Sequence, residues 1–161
     1  MKKIIILVDY KKHFESKWDA FPYRSGMDKK LMSKYFLKES VSVEFIPVVD
    51  AFNLRNIENT FILYTSSEDN NYYYKNFIED IIYYLKCRKA ILIPDYKFLH
   101  AHNNKVFMEL LKKIYEKDFQ FGLSSWIFGS LEELNKKYNE FKYPVIMKDA
   151  EGALSRGVHL V

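Results

Sequence analysis

The chain has 161 residues, 48% of them hydrophobic and 29% charged, which is material for a packed core and for one domain, or one domain and part of another. The net charge of +4 is small and carried mostly by dispersed lysines, with no arginine-rich run or basic helix face, which argues against a nucleic-acid partner. Cys87 is the single cysteine, so an intrachain disulfide is excluded and a reducing, cytoplasmic setting is expected. The apolar run after Lys3 stops at Asp9, too short for a signal-peptide core, and no stretch approaches a membrane span, so no membrane partner is expected.

Residues 4–8 (Ile-Ile-Ile-Leu-Val) form a continuous β-branched and leucine run suited to a strand covered on both faces. Residues 9–26 are polar and aromatic without a clean period and are expected to form a long loop, with Arg24 following Pro22 and Tyr23. From Asp28 the spacing predicts a helix with Met27, Leu31, Met32, Tyr35 and Phe36 on one face. Residues 41–49 read as a second strand, which Pro47 assigns to an edge or a bulge. Residues 61–64 read as a third, buried strand, ending in the capping signature Ser66-x-x-Asp69. The helix after it, residues 73–86, aligns Phe77, Ile78, Ile81, Ile82 and Leu85. Residues 90–93 give a fourth strand, closed by Pro94. A loop over residues 94–104 then leads into a helix with Val106, Phe107, Leu110, Leu111 and Ile114 inward.

This alternation implies an α/β fold: a parallel sheet with helices packed on it. Ligands of such sheets bind at the carboxyl ends of the strands, here the loops over residues 9–26, 65–71 and 94–104. Arg24, Ser66, Ser67 and Glu68 are therefore candidate substrate contacts. The arginine suits a carboxylate, and capping of the next helix is the competing role for the other three. His100 and His102 alternate as a metal-binding pair can, but zinc takes three or four ligands and Cys87 is remote, so no metal site is expected. After Gly122 the pattern changes. Ser130-Leu131-Glu132-Glu133 is a capping box opening a helix that would bury Leu131, Leu134, Tyr138 and Phe141. The domain boundary is placed accordingly, at 1–120 and 121–161.

Residues 143–161 hold the most specific pattern. An apolar strand ends in Lys148. A short loop bracketed by Gly152 and Gly157 and containing Ser155 and Arg156 follows, then a second strand at 158–161. Glycine lets backbone amides approach a ligand closely, and successive amides in a turn make a concave anion site. A P-loop is excluded, because Val158 and His159 stand where Lys and Ser/Thr are required. A dinucleotide fingerprint is excluded too, since it needs three glycines opening a helix.

A lysine-ended strand, a glycine flap and a returning strand together resemble the first nucleotide-binding hairpin of the ATP-grasp superfamily, through Tyr143-Pro144-Val145-Ile146-Met147-Lys148, Gly152 and Ser155-Arg156-Gly157-Val158. Asp149 and Ala150 depart mildly from that pattern, which commonly has proline or another small residue there. The resemblance extends over essentially the whole chain, because Asn104-Lys105-Val106-Phe107-Met108-Glu109 looks like the lysine-initiated helix of the same family. It implies a Rossmann-like pre-ATP-grasp domain followed by a helix and β-hairpin from the start of an ATP-grasp domain. It also implies nucleotide contacts at Lys105, Lys148, Gly152, Ser155, Arg156 and Gly157.

The implied chemistry is activation of a carboxylate as an acyl phosphate with ATP and Mg²⁺, then joining to an amine or thiol. The partners would be small-molecule carboxylate and amine or thiol substrates. The Mg²⁺ ligands are expected outside this chain, so no catalytic residue is assigned within it, and the chain reads as an inactive portion of a longer ligase, a split gene product or a degenerate remnant. Residues 158–161 would then be an unpaired edge, prone to self-association. The alternative from a different class is a non-catalytic Rossmann-like binding or assembly module.

Overall fold

A computed structural model describes residues 2–14, 27–66, 73–116, 124–150 and 157–161. The isoleucine-rich run near the start forms β1 (Lys2–Val8). It pairs in parallel with β2 (Val41–Pro47) on one side and with β3 (Phe61–Leu63) on the other, and β4 (Ile91–Ile93) pairs in parallel with β3. The result is a four-stranded parallel sheet in the order β2-β1-β3-β4. Because side chains alternate across a strand, β1 supplies both faces of the core. Ile5 and Leu7 join Ile46, Ile62 and Tyr64 beneath Ile78, Ile82 and Leu85 of α2 (Tyr73–Cys87) and Leu99 of α3 (Tyr96–Asn103). Ile4, Ile6 and Val8 face the other way, onto Phe14 and onto Met32 and Phe36 of α1 (Lys29–Lys38). A central parallel strand buried on both sides explains the unbroken apolar run.

The expected α/β architecture is therefore present, with local corrections. Asp28 caps α1 by accepting from the amides of Lys30 and Leu31. Of the five apolar residues assigned to its inner face, only Met32 and Phe36 pack against the sheet core. Met27, Leu31 and Tyr35 are exposed and line a shallow apolar groove of about 480 Å³. A ten-residue helix laid over β1 and β2 meets the sheet along a single i, i+4 row. The second strand stops at Pro47, which lies on the edge strand as expected, and the chain continues as a 3-10 turn, Val48–Asn53, that buries Val48 and Ala51. Residues 94–104 are not a loop. Most of them form α3, whose Leu99 and Ala101 are buried although His100, His102 and Asn103 make the segment look polar. Farther along the sheet, Phe61, Ile91 and Ile93 remain partly exposed.

The chain divides into two compact units, Met1–Leu99 and His100–Val161. The second contains α4 (Lys105–Ile114), α5 (Leu131–Asn135), a 3-10 turn at Tyr138–Glu140, and an antiparallel hairpin of β5 (Ile146–Lys148) and β6 (Val158–Leu160). Asn104 caps α4 through the amide of Phe107 at 3.0 Å. Leu111 is its one buried residue, whereas Leu110 and Ile114, expected inward, are exposed. The capping box forms with its return bond moved one residue, from the Ser130 amide to that of Gly129. Ser130 Oγ accepts from the Glu133 amide, and the Glu133 carboxylate accepts from the Gly129 amide. The helix it opens is only five residues long, however, and Leu131 and Tyr138 are exposed. Phe141 packs instead with Trp126, Phe128 and Tyr143. A cap starts a helix, but without a sustained apolar stripe nothing extends it. No helix among the described residues is long and apolar enough to cross a membrane.

Candidate functional site

In the second unit the hairpin is built around one glycine. Asp149 N–H donates to the carbonyl of Gly157 at 2.8 Å, and Gly157 sits at φ +68°. A Cβ at this position would collide with the Asp149 carboxylate, so both conformation and space require glycine here. Lys148 ends β5, opposite Val158, and is exposed. Lys105 opens α4, and its amide donates to the carbonyl of Ala150 at 3.0 Å. The start of the lysine-initiated helix is thus bonded to the chain two residues beyond the strand lysine. Gly152, Ser155 and Arg156 lie outside the described residues.

One turn further along α4 stands Glu109, which sequence reasoning did not single out. Its Oε2 accepts from Ser125 Oγ at 2.5 Å and lies 3.5 Å from Lys112 Nζ. The Ser125 hydrogen bond, helped by the charges of Lys112 and Lys148 and opposed by partial burial, holds its carboxyl below the usual carboxylate range. The field of Lys148 thus reaches α4. The backbone at the start of α4 therefore meets the chain just beyond the strand-end lysine, and Glu109, held by Ser125 and Lys112, stands one turn along the same helix.

The first unit carries a second concentration of polar groups, at the carboxyl edge of its sheet. Asp9 follows β1 directly and is 6% exposed. It accepts from the His13 amide at 2.7 Å and closes a tight turn with it. The next residue, Tyr10, donates its amide to the Tyr74 hydroxyl at 3.0 Å, and the two rings meet edge to face. This bonds the first turn of α2 to the end of β1. Lys75 is also 6% exposed, because it continues inward the stripe made by Ile78, Ile82 and Leu85. Beyond β3, the buried Tyr64 hydroxyl and Ser66 Oγ have no hydrogen-bond partner among the described residues. Burial, reinforced by Asp95, Glu79 and Tyr96, pushes the Tyr64 phenol up, so it stays protonated at any physiological pH. Burial and Glu79, to which its hydroxyl donates, push Tyr96 up to about 12.

Of the substrate contacts expected from the sequence, Ser66 falls at this edge, while Arg24, Ser67 and Glu68 lie outside the described residues. The other half of the capping signature, Asp69, lies there too. His100 packs edge-on to Phe107 and His102 contacts Asn103, so the alternating pair is occupied locally. Among the described residues no group of three or more His, Cys, Asp or Glu side chains is placed to hold a metal. Asp9 and Lys75 carry no signal in the sequence: an aspartate after a strand and a lysine early in a helix read as ordinary solvated residues. The one clue is that Lys75 falls three residues before Ile78 in the inward stripe.

No protein-family model matches the chain, and no curated protein matches it.

Proposed function

We propose that the chain is the nucleotide-holding, amino-terminal part of an ATP-grasp ligase, one that activates a small carboxylate with ATP and joins it to an amine or thiol. The sheet of the first unit would then be a Rossmann-like pre-ATP-grasp domain, and the hairpin of the second the opening of the ATP-grasp domain. The observation that carries this assignment is the bond from the Lys105 amide to the Ala150 carbonyl. It draws together the two lysine-bearing segments that the family resemblance picks out separately. In this role Lys105 and Lys148 hold the phosphates or base edge of ATP, and the turn at Gly157 offers backbone amides to the same anion. Gly152, Ser155 and Arg156 complete the flap. The donor set fits a polyphosphate, since it consists of ammonium groups and backbone N–H. Mg²⁺, when bound with the nucleotide, would neutralise charge developing during phosphoryl transfer.

The test is calorimetric titration of the chain with ATP. Replacing Lys148 by alanine should weaken binding by about tenfold or more, the loss expected when a charge-assisted contact worth roughly 1.5–3 kcal/mol disappears. Unchanged affinity would remove the nucleotide role of Lys148.

A second function rests on a separate observation. Ile146, Leu160 and Val161 of the hairpin are exposed, and the two-stranded sheet has two open edges among the described residues. Such a surface suits a non-catalytic assembly module that pairs strands with another copy. Sedimentation discriminates: concentration-dependent self-association without nucleotide dependence favours the module, and a monomer that binds ATP favours the ligase.

A further inference from the structure

Paired positions of neighbouring parallel strands point their side chains to the same face of a sheet. The pairing of Ile4 with Phe61 and Ile91, and of Ile6 with Leu63 and Ile93, therefore puts four residues of β3 and β4 on the face that carries Ile4, Ile6 and Val8. α1 covers the β2–β1 half of that face through Met32 and Phe36. α2 and α3 pack on the opposite face, over Ile5, Leu7 and Ile62. Parallel sheets are covered on both faces. Yet among the described residues the β3–β4 half is open, with Phe61, Ile91 and Ile93 at 37%, 39% and 38% exposure.

The bare flank of α1 borders the same opening. Met27, Leu31 and Tyr35 form one i, i+4 row. That row lies away from Lys29, whose Nζ is 5.7 Å from the centre of the Phe45 ring on β2. It is thus turned toward β3, and the groove it lines has Asp28 at one end and Glu39 at the other. A helix laid beside α1, at the usual axis separation of about 8–10 Å, would press its side on Leu31 and Tyr35 and its underside on the open strands. A flat membrane cannot reach both, because α1 stands about 10 Å proud of the sheet.

Charge selects the kind of helix. Lys30, Lys34 and Lys38 make the adjoining i, i+4 row on the solvent side of the groove, and α1 contains no acidic residue. Lys30 and Lys34 are exposed and form no ion pair among the described residues. Lys38 extends over the Tyr35 ring, 5.0 Å from its centre. The Asp28 carboxylate is engaged in capping α1. A second copy would bring an identical lysine row against this one, and like charges repel.

We propose that α1 and the open half of the sheet form a docking site for an amphipathic helix of a partner protein, with an apolar row on Leu31, Tyr35, Phe61, Ile91 and Ile93 and an acidic row beside Lys30, Lys34 and Lys38. The surface lies wholly within the first unit and does not depend on the nucleotide role of Lys148.

Two synthetic helical peptides of about sixteen residues, long enough to span α1, test this. Both carry leucines at i, i+3, i+4 and i+7 spacing; one has glutamates along the flank of that row, the other lysines in the same places. Amide chemical shifts of the full chain are followed as each is added. The glutamate peptide should give saturable shifts at Leu31 and Tyr35 and also at Phe61, Ile91 and Ile93. The lysine peptide should bind about tenfold more weakly or less tightly still. Leu31→Ser, at an exposed position, should weaken the glutamate peptide about tenfold. The Lys30→Glu, Lys34→Glu double variant should reverse the order of the two peptides. An absence of saturable shifts in β3 and β4 overturns the proposal. So does equal affinity for the two peptides, or an order that survives the double variant. Shifts of the same residues with rising concentration of the chain alone would assign the surface to a second copy. Shifts with anionic lipid vesicles but with neither peptide would assign it to a membrane, and either result overturns a partner helix. Loss of ATP binding in Lys148→Ala leaves these outcomes unaffected, so the two sites are judged separately.

Discussion

The two units put their apolar residues to opposite use. In the first, β1 is sandwiched between layers, and Ile6, Ile62, Ile82 and Leu85 are fully shielded from water. In the second, three-residue strands meet in a hairpin where Ile146, Met147, Val158 and Leu160 are all open, Leu160 at 76% exposure. As text the hairpin strands are shorter and mixed, Ile-Met-Lys and Val-His-Leu, against the unbroken Ile-Ile-Ile-Leu-Val of β1. Burial follows from what covers a strand as well as from its composition. The parallel sheet must be covered, since its connections run across its faces. The antiparallel hairpin needs only its turn and its cross-strand bonds, and so it is held by Gly157 and Asp149 more than by a core.

Truncating one isoleucine in each unit puts this contrast under the greatest strain. Ile6→Ala should cost about 3–4 kcal/mol of stability, as expected for a cavity in a fully packed interior. Ile146→Ala, at an exposed position of β5, should cost less than about 0.5 kcal/mol. Urea unfolding of the two variants measures both. Equal losses would mean that the hairpin is buried in solution.

The same contrast explains what is legible in the sequence. The run at residues 4–8 announces β1 because every position is apolar, and Pro47 announces an edge because it cannot donate to a ladder. α2 is legible from its stripe. α3 is not, because its buried positions, Leu99 and Ala101, are too few to set a period among histidines and lysines. α5 falls short of the helix its capping box suggests, since such a box reports where a helix begins and carries nothing about where it ends. At the candidate sites the glycines and Lys148 stand out as types. Lys75 and Asp9 do not, because their interest comes from burial, which one-dimensional spacing reports only faintly. Glu109 is hidden for a different reason: its partners Ser125 and Lys148 are distant in sequence.

A smaller effect is expected within the hairpin itself. Gly157→Ala forces a side chain into a left-handed conformation and against the Asp149 carboxylate. The cost should be about 1–3 kcal/mol, confined to the hairpin. Amide hydrogen exchange at Asp149 and Val161, both bonded across the hairpin, should accelerate correspondingly, while amides of β1 keep their protection. Acceleration in β1 as well would show that the two units do not open independently.

The smallest expected change concerns Glu109. Its carboxyl titrates below the ordinary value in the folded chain, first through Ser125 and then through Lys112 and Lys148. A carboxylate whose folded value is depressed adds stability above its unfolded value, and that contribution disappears as pH falls through the folded one. Acidification should therefore loosen the second unit as Glu109 protonates and its carboxylate no longer accepts from Ser125 and Lys112. Carboxyl-carbon NMR titration of Glu109 reads this directly. Ser125→Ala should raise its midpoint more than Lys148→Ala does, because a short hydrogen bond outweighs a charge beyond ion-pair distance. If Lys148→Ala produced the larger rise, the strand-end lysine would be engaged with α4 itself. It would then be less available to meet an anion, and the case for its nucleotide role would weaken from within the same measurement.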